Sequence, residues 1–191
     1  MQLTGRITLD SLMSVEAYSQ YRQINKAALM AQRRLRTVRL GANMSLQFES
    51  EATVRYQIQE MLRIEKIVDQ AACQHEIDAF TPLVPDGHNW KATLFLEYPD
   101  PNERQKALTL LIGVEDHLFI EVQGQGRVHA IADEDLDRER SDKTSAVHFV
   151  RFEFDAGMQA AIQSGAPVTL GCDHPAYLVD QTIEPACVQT L

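Results

Sequence analysis

From Glu51 onward, apolar residues recur at Val54, Ile58, Met61, Leu62 and Val68, with polar residues filling most of the positions between them. Separations of three, four and seven predict an amphipathic helix with one buried face. Ser50 suits the N-cap, and Glu51 falls in the first turn, where the helix dipole favours negative charge. Neither Gly nor Pro interrupts Glu51 to Gln74, so a long central helix is expected there. Its polar faces carry Arg55, Gln59, Glu60, Arg63, Glu65 and Lys66. Gln59 and Glu60 precede Arg63 by four and three residues, within reach of its guanidinium.

A second helical pattern runs from Val15 to Leu35, with Tyr18, Tyr21, Ile24, Ala28 and Leu35 near one face. Its end is basic, at Arg33, Arg34, Arg36 and Arg39. Cations there complement the helix dipole; the alternative reading is a docking site for an acidic partner or a phosphate. Val38 to Leu40 and Met44 to Phe48 read as a hairpin about Gly41-Ala42-Asn43. Beyond a Pro-rich loop, strands are predicted over Trp90 to Tyr98, Leu118 to Val122, Arg127 to Ala132, Ala146 to Phe154 and Pro167 to Cys172. Short helices are expected at Asn102 to Leu111 and Ala156 to Ser164, and an irregular tail from Ala176.

This order predicts an α+β fold: an antiparallel or mixed sheet packed by the long central helix, with a long N-terminal helix. The 191 residues are expected to form a single domain, a helical element over 1–36 followed by a sheet-containing core over 37–191. The formal net charge of -9 argues against general nucleic-acid binding, which needs a basic footprint. No continuous apolar run suggests a signal peptide or a membrane span. Three widely spaced cysteines, Cys73, Cys172 and Cys187, suggest no disulfide framework, and the expectation is a cytoplasmic protein with reduced thiols.

Gly124-Gln125-Gly126 lacks the third glycine of a dinucleotide loop and reads as a turn, so there is no nucleotide-cofactor signal. The acidic stretch Asp133 to Glu139 misses the Gly and Glu that a calcium loop requires, and reads as a solvated loop. His148 lies within an apolar strand and His174 just past a strand end. Were these two to converge with Glu60, they would make a two-His-one-carboxylate site for iron, manganese or zinc. Arg63 and Arg151 are the candidates for holding an anionic substrate through a planar guanidinium. No hydrolase, zinc-protease or P-loop pattern occurs.

The run Thr53 to Glu65 resembles a bacterial family known as domain of unknown function 3501. So do Pro85-Asp86-Gly87 with Lys91 to Leu94, Ile131 to Asp135, Lys143 to Phe149 and Asp173-His174-Pro175-Ala176-Tyr177. The similarity spans nearly the whole chain in order, and His148 and His174 fall on family motif positions. The resemblance implies a setting near rubrerythrin-like proteins and iron–sulfur oxidoreductases. Two expectations follow. The first is an accessory or interaction protein of a redox or peroxide-handling system, docking through Arg33, Arg34, Arg36 and the polar face of the central helix. The second is a metal-dependent enzyme or sensor using His148, His174 and Glu60.

Overall fold

The computed structural model describes residues 6–132 and 142–191. Asp133 to Glu139 lie outside the described residues, as do Met1 to Gly5. The fold is α+β, and it divides into two compact units that interleave along the chain. One takes the chain up to Leu35 together with Glu49–Asp86; the other takes Arg36–Phe48 and Gly87–Leu191.

The first unit is helical. Helix α1 (Val15–Leu35) packs on α2 (Glu51–Glu65), and α2 on α3 (Gln70–Phe80). Ser50 caps α2 as expected: its side chain accepts from the Thr53 amide at 3.2 Å, and the Thr53 hydroxyl accepts from the Ser50 amide at 2.8 Å. The central helix is shorter than its apolar period predicted. Lys66 adopts a left-handed conformation (φ 54°), which ends α2, and Asp69 restarts the chain as the N-cap of α3. Val68 falls in the break and is exposed, so it is no part of the buried stripe. Val54, Ile58 and Leu62 form that stripe.

The second unit holds two antiparallel sheets. The first pairs β1 (Thr37–Arg39), β2 (Met44–Phe48), β3 (Asn89–Leu96), β7 (Val147–Glu153) and β6 (Ile131–Ala132), in that order. The second pairs β5 (Gly126–His129), β4 (Leu118–Val122), β8 (Val168–His174) and β9 (Tyr177–Thr182). The run Arg127 to Ala132 is therefore two strands, changing sheets at Ala130. The tail beyond Ala176 is ordered too, as β9 and a short helix α6 (Pro185–Val188). Inner faces of both sheets meet in one apolar core that includes Leu46, Phe48, Leu94, Phe152, Ile120 and Leu170. Helices α4 (Pro101–Leu110) and α5 (Ala156–Gln163) are capped by Asp100 and Asp155, whose carboxylates accept from first-turn amides.

Gly41 shows how the hairpin is fixed. Its φ of 72° suits glycine, and a Cβ there would lie 2.8 Å from the Tyr177 hydroxyl oxygen. That hydroxyl donates to the Leu40 carbonyl at 2.8 Å and accepts from the Asn43 amide at 3.1 Å. Tyr177 thereby ties the β1–β2 turn to the start of β9.

Candidate functional site

A cluster of polar side chains lies on the outer face of the β5-β4-β8-β9 sheet in the second unit. Strand alternation turns Phe119, Glu121, Arg127, His129, Gly171 and Asp173 to the same side. Phe119 is paired with His129 on one flank and with Gly171 on the other. A Cβ on Gly171 would sit 2.1 Å from Phe119 Cζ, so only glycine lets the ring lie across β8. The Arg127 guanidinium stacks 3.5 Å above the ring centroid, a cation–π contact. From there Arg127 reaches Glu121 Oε2 at 3.0 Å and Asp173 Oδ2 at 3.7 Å.

Asp173 is the hub. Its Oδ1 lies 2.9 Å from His117 Nδ1, and its Oδ2 lies 3.1 Å from His129 Nε2. An ionised carboxylate only accepts, so both of those ring nitrogens carry protons. In the neutral rings the basic lone pairs then belong to His117 Nε2 and His129 Nδ1. A carboxylate that sets the tautomer and aim of an imidazole is the usual support of a general base or a ligand. His117 also meets His174 edge to face, with ring centroids 5.1 Å apart.

The hydrogen bonds from His129 and then His117 hold the Asp173 carboxyl below its ordinary value of 3.8. A depressed carboxyl stabilises the fold above the unfolded value and loses that contribution as pH falls through the folded one. The stability difference between wild type and Asp173→Ala is therefore expected to shrink on acidification below pH 3.8. Carbon-13 titration should place the Asp173 carboxyl below 3.8 and move it up in the double variant His117→Ala/His129→Ala. An Asp173 carboxyl that ignores the loss of both rings would sink this assignment.

The sequence candidates distribute differently. His174 uses both ring nitrogens on backbone: Nδ1 accepts from the Ala176 amide at 3.1 Å, so Nε2 is protonated and donates to the Ile112 carbonyl at 3.2 Å. It shapes the β8–β9 turn, with no lone pair left for a metal. His148 is fully buried, with Nε2 3.0 Å from the Ser145 carbonyl and 2.9 Å from Thr144 Oγ1, and Nδ1 3.6 Å from Glu115 Oε1. That is a hydrogen-bonded core histidine. Glu60 belongs to the helical unit. Its Oε1 accepts from the Tyr18 hydroxyl at 2.7 Å and from Arg22 Nε at 2.6 Å, and its Oε2 from Arg63 at 3.1 Å. Among the described residues no group of three His, Cys, Asp or Glu side chains is placed to hold a metal ion. His148 and His174, both of the sheet unit, spend their ring nitrogens on separate hydrogen bonds.

The anion and docking candidates change as well. Arg63 faces Glu60, leaving its Nε buried and unpartnered. Arg151 pairs with Glu153, which also accepts from Asn89 at 2.9 Å. Gln59 does not meet Arg63; it accepts from the Met13 amide at 2.8 Å and donates back to the Met13 carbonyl at 3.2 Å. Arg36 is buried and donates to the Phe48 and Thr190 carbonyls, so it is structural and no part of a docking surface. Arg33 stacks over Tyr56 at 5.5 Å, while Arg34 is exposed. Burial pushes the Cys172 and Cys187 thiols up, which keeps them protonated and poorly nucleophilic.

Sequence reasoning singled out His174 and passed over its neighbour Asp173. The signal was the strand alternation of Arg127 and His129, which faces them to one side. No helix among the described residues is long and apolar enough to cross a membrane.

These observations define an α+β protein with a helical unit and a two-sheet unit that carries a carboxylate-bridged histidine pair. Residues 6–191 match the family described as "Protein of unknown function (DUF3501)", and the chain belongs to that family. It is similar to a protein of Burkholderia pseudomallei K96243, whose crystal structure is titled as that of a novel protein of unknown function. The two are 47% identical and superpose with a TM-score of 0.93, over 98% of this chain and 97% of that one. No protein of curated function matches the chain.

Proposed function

We propose that this protein is an accessory protein that acts by binding other polypeptides, with α1 as its binding element. The observation that supports this is the exposure of α1: of its 21 residues only Tyr18 is buried. Helices in folded proteins draw most of their stability from packing an apolar face, and α1 leaves much of its apolar surface open. Its charge adds to this. Arg22, Lys26, Arg33 and Arg34 stand against one acid, Glu16, on a chain of net charge -9. The family resemblance directs the partner toward a rubrerythrin-like protein or an iron–sulfur oxidoreductase of a redox or peroxide-handling system.

Binding of each such protein to the full chain, measured by calorimetry at rising salt, tests the reading. Association is expected to weaken with salt, because exposed charge pairs are screened. Lys26→Glu/Arg34→Glu is expected to weaken it roughly tenfold, about 1.4 kcal/mol. No binding of either protein at low salt would overturn the redox assignment. A second reading rests on Asp173: a metal-free proton-transfer site, with His117 Nε2 or His129 Nδ1 as the base.

A further inference from the structure

We infer that α1 pairs with α1 of a second copy of this chain, antiparallel and about a two-fold axis. This rests on the reading of α1 as a binding element and names one occupant of it. The exposed apolar side of α1 is ordered. Ala17, Tyr21, Ile24, Ala28, Ala31 and Leu35 are all exposed, Ile24 at 82%. They are separated by four, three, four, three and four residues. That is the seven-residue repeat by which one helix seats against another, and it is distinct from the inward side that carries Tyr18 and Arg22.

Residue sizes along this seam select the occupant. Set against itself antiparallel in one register, the seam puts Ala17 opposite Leu35, Tyr21 opposite Ala31, and Ile24 opposite Ala28. Each layer pairs a large side chain with a small one, and the same register satisfies all of them from both copies. This is the self-complementarity that an isologous two-fold interface requires. Interdigitated large and small residues fill a helix interface without voids. A parallel pair would instead stack Ile24 on Ile24 and Ala28 on Ala28, alternating crowded and empty layers.

Charge points the same way. In the antiparallel pair the flanking positions bring Ala27 to Ala27, Asn25 to Asn25, and Gln20 to Arg34, with no like charges opposed. The basic ends lie apart by nearly the length of the helix, ~31 Å for 21 residues, beyond the ~8–10 Å range of screened charge. A parallel pair would bring the two basic ends together, with Arg34 of both copies flanking the same end of the seam. Lys26 lies on the side of α1 away from the seam.

The test is sedimentation of the full chain over a concentration series, with Ile24→Asp beside it. Because Ile24 is exposed, the variant is expected to keep the helix content of the wild type by circular dichroism. It should raise the dimer dissociation constant at least about tenfold, since a charge would be buried unpaired. In a Cys73→Ser background, a mixture of Ile24→Cys and Ala28→Cys chains should form a disulfide-linked dimer, and Ile24→Cys alone should not. A wild type that stays monomeric at every concentration overturns the inference, as does a dimer indifferent to Ile24→Asp. Preferential linking of Ile24→Cys to itself overturns the antiparallel register. A monomer that still binds a redox partner would defeat this inference and leave the accessory reading standing; a dimer that binds neither partner would do the reverse.

Discussion

Glu60→Ala is expected to destabilise the helical unit by about 2–3 kcal/mol, because it leaves the Tyr18 hydroxyl and two guanidiniums without their shared acceptor. The full penalty for breaking a buried pair does not apply, since the Arg22 and Arg63 side chains keep 26% and 29% exposure. Tyr18 has no such outlet at 3%. Glu60→Gln keeps an acceptor but not the charge, so it should fall between wild type and alanine. The effect also has a pH signature. Burial alone would raise the Glu60 carboxyl, but the hydrogen bonds from Arg22, Tyr18 and Arg63 outweigh it and hold the group below 4.5. Its contribution is therefore complete above pH 4.5 and disappears as pH falls through the folded value. Urea unfolding of wild type and Glu60→Ala at neutral and acid pH measures both parts. A variant within about 0.5 kcal/mol of wild type at neutral pH would show that Glu60 is not the hub.

The second large effect is expected at Gly171. A valine there would drive its side chain into the Phe119 ring, which already lies 2.1 Å from an ideal Cβ. Overpacking of this kind costs about 1–3 kcal/mol, and the upper end is expected because Phe119 is pinned between β8 and Arg127. Phe119→Leu vacates that space, so the double variant should lose clearly less than the sum of the singles. Strict additivity would show that the two residues do not compete for one volume. The displaced ring should also release Arg127 and disturb the His129–Asp173 hydrogen bond, which histidine resonances would report.

Much of the fold was legible because its signals are local. Ser50, the Val54–Ile58–Leu62 stripe and the Gly41 turn each act within a few residues. The break in the central helix was not legible from Gly or Pro, because Lys66 takes the left-handed conformation that glycine usually marks. Asp69, a standard N-cap, was the clue. β9 escaped notice because it is largely exposed and its burial does not follow a strong apolar pattern. In α1 the apolar residues were read as one face. The structure separates Tyr18, turned inward, from Tyr21, Ile24, Ala28 and Leu35, which lie outward. The histidine–carboxylate cluster was the hardest to anticipate. His129 and His117 lie 44 and 56 residues from Asp173, and only the pairing of β4 with both β5 and β8 brings them together. His148 drew attention as an imidazole in a strand and His174 as one just past a strand end, yet their nitrogens serve the backbone and the core.

The interleaving of the two units sets an order on biosynthesis. Strands β1 and β2 leave the ribosome before α2 and α3, yet their next neighbour in the sheet, β3, begins only at Asn89. At a synthesis rate of about 5–20 residues per second, the hairpin waits several seconds with Leu40, Met44, Leu46 and Phe48 lacking their final cover. The helical unit has by then emerged in full and is free to fold first. In sequence, an apolar two-stranded ribbon that lacks its neighbour strand is then flanked by helical segments that are already complete, and that interval is where chaperone dependence and aggregation during expression should concentrate.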